Sequence, residues 1–149
     1  MSLQIQVMGK IKEAMKAKDT IALQALRAVK AAFLLAKTAT GVQEELTEEQ
    51  ELKIIQKQVK QRKDSAAIFI QQNRQDLAEP ELAEIAVLEQ FLPEALSEEE
   101  IEKVVLKTIA QLGASGMKDM GAVMNILKSK LAGKTNMADV SKKIKTKLI

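Results

Sequence analysis

The sequence predicts an all-α protein, and three observations carry that prediction. Apolar residues recur at spacings of three and four along most of the chain, and no stretch shows the two-residue alternation of a strand. Aromatic residues make up 2% of the 149 positions and hydrophobic ones 46%, so the core must be Leu, Ile, Val, Ala and Met, which suits packed helices. Two capping boxes, Thr47-Glu48-Glu49-Gln50 and Ser97-Glu98-Glu99-Glu100, stand directly before periodic apolar runs, where helices are expected to begin.

Residues 3–17 are expected to form the first helix, with Val7, Met8, Ile11, Ala14 and Met15 on its apolar face. Asp19 is placed to cap a second helix over 20–37, striped by Leu23, Leu26, Val29, Phe33 and Leu34. Thr38 to Leu46, with Gly41 near its middle, reads as a loop and as the candidate mobile segment of the first half. The first capping box opens the longest helix, 48–72, whose Leu52, Ile55, Val59, Arg62, Ala66 and Phe69 make a coiled-coil-like seam. A buried arginine must be paired, so an Asp or Glu on a neighbouring helix is expected opposite Arg62. Asn73 to Glu79 reads as a polar turn. Pro80 suits the first turn of the next helix, whose face is Leu82, Ile85, Leu88 and Leu92. These two helices are expected to pair antiparallel.

Pro93 to Ser97 looks like a boundary, which predicts an N-terminal all-helical domain over 1–93 and a three-helix module over 94–149. Leu96 and Ile101 sit where a hydrophobic staple would put them around the second capping box. That helix is expected to bury Ile101, Val104, Val105, Ile109 and Leu112 and to end at Gly113. A short helix follows, with Met117, Met120, Met124, Leu127 and Leu131 on one face, Ser115 as N-cap and Gly133 just past its end. Gly121 inside it points to close helix packing, or to close approach by a ligand. Asn136 caps a last helix lined by Met137, Val140, Ile144 and Leu148.

The chain has no Cys and no His, which excludes thiol chemistry, zinc sites of the Cys/His kind and histidine-based triads. No apolar run is long enough to cross a bilayer, and no basic-then-apolar leader opens the chain; a cytoplasmic location and no membrane partner are the expectation. The net charge of +3 hides an asymmetry: +5 over residues 1–43, −10 over 44–102 and +8 over 103–149. A basic tail behind an acidic middle points to an anionic partner, the plain alternative being a solvated lysine-rich surface.

Few residues carry the pattern of a reaction. Ser115 and Lys118 match S-x-x-K, but capping explains Ser115, and no second Ser–Lys element or oxyanion motif accompanies them. Glu48, Glu49 and Glu51, like Glu98, Glu99 and Glu100, sit in first helical turns, where acids favour the helix dipole. Neither group has the alternating oxygen ligands of a calcium loop, and no glycine-rich phosphate loop occurs. No catalytic residue, cofactor or metal is expected. The candidate anion contacts are Lys118 near the start of the Met-rich helix, Lys128, Lys130 and Lys134 at its other end, and Lys142 and Lys143 on the last helix. Phe33, Phe69 and Phe91 all lie outside the tail, so a stacking platform for bases is missing and contacts to phosphate would be led by shape.

Four segments then resemble the GatB/YqeY family in order and spacing: Lys60-Gln61-Arg62-Lys63-Asp64-Ser65, Arg74-Gln75-Asp76-Leu77-Ala78, Leu88-Glu89-Gln90-Phe91-Leu92-Pro93, and Met117-Lys118-Asp119-Met120-Gly121-Ala122-Val123-Met124. The similarity spans nearly the whole chain, with Phe91 where many members are expected to have Tyr. The resemblance implies two all-helical parts, the second similar to the tail of the B subunit of tRNA-dependent amidotransferase, which grips the outer corner of tRNA. It also implies a family label of carbon–nitrogen ligase with glutamine as amide donor, although no glutaminase nucleophile or ATP site is present in these residues. The leading expectation is a non-catalytic accessory protein that binds tRNA or another structured RNA, linked to translation or tRNA-dependent amidation. The alternatives are a protein–protein adaptor using the seam helix and the Met-rich face, and an amidotransferase component. The sequence leaves the oligomeric state open.

Overall fold

The computed structural model describes residues 2–39 and 45–148, and every regular element among them is helical, as the spacing predicts. The α-helices are α1 (Leu3–Ala17), α2 (Thr20–Ala39), α3 (Glu48–Gln71), α4 (Gln75–Glu89), α5 (Glu98–Leu112), α6 (Met120–Lys130) and α7 (Met137–Leu148), with a single 3-10 turn, Met117–Asp119, before α6. The chain falls into two compact units, Met1–Leu92 and Pro93–Ile149.

In the first unit α2 packs on each of α1, α3 and α4. Ala25, Leu26, Val29 and Phe33 are its buried stripe, and Asp19 caps it as expected, its carboxylate accepting the Ala22 N–H at 3.0 Å. The seam of α3 buries Leu52, Ile55, Val59 and Ala66 against α4, which buries Ala78, Ile85 and Leu88. The pair runs antiparallel about a turn at Gln72–Arg74, where Asn73 takes a positive φ of 56°. Arg62 finds its expected carboxylate on α4: Nε donates to Glu84 at 2.8 Å, and Nη1 donates to the Gln58 carbonyl at 3.1 Å and side chain at 2.8 Å.

Glu51 has a role its position in the sequence does not announce. It is 2% exposed and reaches across to the start of α1, where it accepts the Gln4 N–H at 2.9 Å. Burial pushes its carboxyl above the ordinary value, the Gln4 N–H pulls it back, and Glu48 pushes it up again. So Glu51 serves the N-terminus of α1 as well as the first turn of its own helix.

Several expectations need correction. Helix α4 starts at Gln75, so Pro80 lies in its second turn rather than its first, and the turn expected over Asn73 to Glu79 shrinks to three residues. The Arg74 carbonyl receives the Leu77 and Ala78 N–H groups at 3.0 and 3.1 Å, which lets Ala78 enter the core. The bond that Pro80 cannot make would go to the Asp76 carbonyl, and both residues are exposed, so water can meet that carbonyl. Helix α4 ends at Glu89, short of Leu92, and Phe91 is the residue that turns inward there. Met8, Met15, Leu34, Leu82 and Leu112, each assigned to an apolar face, are exposed. Each helix buries a narrower arc than its apolar residues span. Thr38 belongs to the last turn of α2, and Gly41 with its neighbours at 40–44 lies outside the described residues.

In the second unit α5, α6 and α7 each pack on the other two around Ile101, Val105, Val123, Leu127, Leu131, Val140, Ile144 and Leu148. The Ser97 capping box forms in both directions, Ser97 accepting the Glu100 N–H at 3.2 Å and donating its own N–H to the Glu100 side chain at 3.1 Å. Leu96 packs against the same core that Ile101 enters, as a staple requires. Gly113 takes φ 63° and ends α5, and Asn136 caps α7 through the Ala138 N–H at 2.9 Å. Ser115, however, is not the N-cap of the Met-rich helix. Its N–H donates to the Asp119 carboxylate at 3.0 Å, and the chain makes the 3-10 turn before α6 begins at Met120. Met117 is therefore 47% exposed, while Val123, absent from the expected stripe, is fully buried.

Gly121 is not a site of close packing, because a Cβ built there meets nothing within 4 Å, and the same holds for Gly9 in α1. Both glycines therefore carry the helix penalty without a contact to offset it. Gly9→Ala and Gly121→Ala should each stabilise the protein by about 0.5–1 kcal/mol. Urea unfolding checks this, and a loss of stability on either change would show an unseen constraint at that position.

Candidate nucleic-acid interface

The lysine-rich module is assembled by its core. Each of α5, α6 and α7 turns an apolar stripe inward, so the lysines are carried on what remains of each helix surface. Residues opposite the stripe on different helices point away from one another. The lysines are thus carried outside the core on all three helices and on the turns between them.

The structure places the six candidates as follows. Lys118 is exposed within the 3-10 turn, next to Asp119. The anion-favouring helix start expected beside it is led by that carboxylate, which is turned back to the Ser115 N–H. Lys128 and Lys130 are exposed in the last turn of α6. At 3.6 residues per turn they flank opposite sides of the Val123, Leu127 and Leu131 stripe, so they are not brought together. Lys134 is half-buried in the turn after α6, and its backbone carbonyl accepts the Leu96 N–H at 3.2 Å. Lys142 is exposed on the outer side of α7, and Lys143 is half-buried on a flank that it shares with Lys147, one turn further on.

Glu102 on α5 is the residue that reasoning from sequence overlooked. It pairs with Lys147 at 3.0 Å. The bond from Lys147, that lysine's charge, and the charge of Lys143 together hold its carboxyl below the ordinary value. In the sequence Glu102 is only one more acid near a helix start, and no spacing rule links it to a lysine 45 positions on. Of the ten lysines in 103–149, Lys147 is the one in an ion pair among the described residues.

Other places for chemistry are sparse. Ser115 and Lys118 are both exposed, and the Ser115 N–H is taken by the Asp119 carboxylate. Among the described residues no group of three acidic side chains is placed to hold a metal ion, and no helix is long and apolar enough to cross a membrane. A shallow cleft of about 270 Å³ lies in the first unit, lined by Gln6, Gly9, Lys10, Glu13, Gln90 and Phe91, where Lys10 and Glu13 pair with each other. The surfaces that an adaptor would use are largely taken. The α3 seam is filled by α4, and Met120 and Met124 pack on the core of the second unit.

A family model described as "Yqey-like protein" matches residues 4–148. The chain is 33% identical over 138 residues to "Altered inheritance of mitochondria protein 41, mitochondrial" of Pyrenophora tritici-repentis (strain Pt-1C-BFP), a match that covers 90% of this chain and 74% of that protein. With nearly its whole length matched and the helical units in place, the chain belongs to the YqeY-like protein family.

Proposed function

We propose that this protein binds tRNA or another structured RNA through its C-terminal three-helix module and performs no catalysis by itself. The observation that carries the reading is the state of the tail's lysines. Ten lysines face two acids over residues 103–149, and Lys147 alone among them is engaged in an ion pair among the described residues. Unpaired lysines on a rigid helical support are what phosphate contacts require, since counterion release from the backbone supplies most of such affinity. The lack of aromatic residues in the module favours recognition of a folded backbone over stacking on single-stranded bases. A link to translation or tRNA-dependent amidation follows from the resemblance to the amidotransferase tail. A protein partner is the second reading, supported by Ile5, Met8 and Met15, which α1 leaves exposed.

The test is filter binding of the purified protein to bulk tRNA across a salt series. If about five lysines meet phosphates, log K should fall with log salt at a slope near −3.5 or steeper, taking roughly −0.7 per contact from single strands as a lower guide. The fragment 94–149 should keep most of the affinity. Absence of saturable binding at low salt would sink the reading, and binding by residues 1–93 alone would move the interface to the other unit.

A further inference from the structure

The Glu102–Lys147 pair joins α5 to α7 at 3.0 Å, and Lys143, one turn before Lys147 on the same flank, acts on the same carboxylate. Lys147 alone bonds the carboxylate, and Lys143 stands beside it on the same flank with no ion pair of its own among the described residues. The backbone that carries them is held in place, since Ile101 and Val105 flank Glu102 in the core, and Ile144 and Leu148 do the same for the two lysines. The charged ends are nevertheless accessible, with the Lys147 and Glu102 side chains 37% and 49% exposed. An ion pair in that setting is weakly held and open to exchange for a competing anion. A phosphate offers more acceptor oxygens than the carboxylate, and lysines meet it as point charges without a fixed angular demand.

We infer that Lys143 and Lys147 form a phosphate-binding cradle that the Glu102 carboxylate occupies in the free protein, and that RNA phosphate enters by displacing Glu102. The inference rests on the RNA-binding reading above and adds a site, with a built-in competitor, to it. Glu102 raises the threshold for binding: a singly charged anion does not displace it, whereas a multiply charged phosphate, or a backbone held by other lysines, does.

The experiment uses the full chain and two probes. In fluorescence anisotropy with bulk tRNA, Glu102→Gln should tighten binding about threefold or more and steepen the salt slope by roughly 0.7. Glu99→Gln, which removes the same charge from an exposed site in the first turn of the same helix, should change affinity much less. In a Lys147→Ala background the gain from Glu102→Gln should largely vanish. The second probe is inorganic pyrophosphate, followed through the carboxyl carbon resonance of Glu102, whose titration midpoint should rise toward the ordinary carboxylate range as the ligand binds. A gain no larger than that of Glu99→Gln, or one that survives loss of Lys147, overturns the cradle, as does pyrophosphate leaving Glu102 unmoved. If tRNA does not bind at all but pyrophosphate still displaces Glu102, the RNA reading falls and the cradle stands for phosphate from another source.

Discussion

Glu84→Ala should lower the stability of the first unit by about 3–5 kcal/mol, the largest loss expected from a single polar change in this protein. The reason is the Arg62 guanidinium it leaves behind. The side chains of Arg62 and Glu84 are 13% and 10% exposed, so the lost carboxylate cannot be replaced freely by water. Gln58 continues to accept from Nη1, which satisfies one donor but neutralises no charge. The double change Arg62→Met with Glu84→Leu should recover most of the loss, because two apolar residues of similar size ask for no partner. Urea unfolding followed by circular dichroism measures both variants against the unaltered protein. A cost below about 1 kcal/mol for Glu84→Ala would mean that the pair behaves as a solvated surface bridge and does not anchor α3 to α4.

Leu127→Ala should remove about 2–5 kcal/mol from the second unit. Leu127 on α6 is fully buried in the core that α5, α6 and α7 share, with Val123 before it and Leu131 just past the helix end, so truncation leaves a cavity that none of them can fill without moving. If 1–93 and 94–149 are separate domains, the loss should be confined. Hydrogen exchange should show α5, α6 and α7 opening more readily while the amides of α1 to α4 keep their protection. Equal loss of protection in both units would mean that they unfold as one, and the proposed division at Pro93 would fail.

What was legible in the sequence follows the range of the interactions involved. The helix count, both capping boxes and the caps at Asp19 and Asn136 depend on residues within four positions of one another, and the structure forms each of them. The need for a partner at Arg62 was also legible, because a charge on an apolar seam demands one wherever it comes from. Errors appeared where a local rule met competition. Ser115 looks like an N-cap, but Asp119 four residues on binds its N–H and sets a 3-10 turn instead. Pro80 looks like a helix start, but burial of Ala78 draws the helix back to Gln75.

The basic tail was read from the distribution of charge along the chain, and the family resemblance that gives it a meaning from the order and spacing of four segments. Which apolar residues face the core, and which lysines are paired, are not in the sequence in that sense. Met8 and Met15 satisfy helical spacing as well as Val7 does, and only the position of α2 and its neighbours leaves them outside. Glu51 and Glu102 look alike in sequence, acids at the start of a helix. Packing sends one to the N-terminus of α1 and gives the other two lysines of α7, because each acts on groups more than 40 residues away. Periodicity and caps are local and survive in a string of residues. Burial and charge pairing are decided by which surfaces the fold brings together.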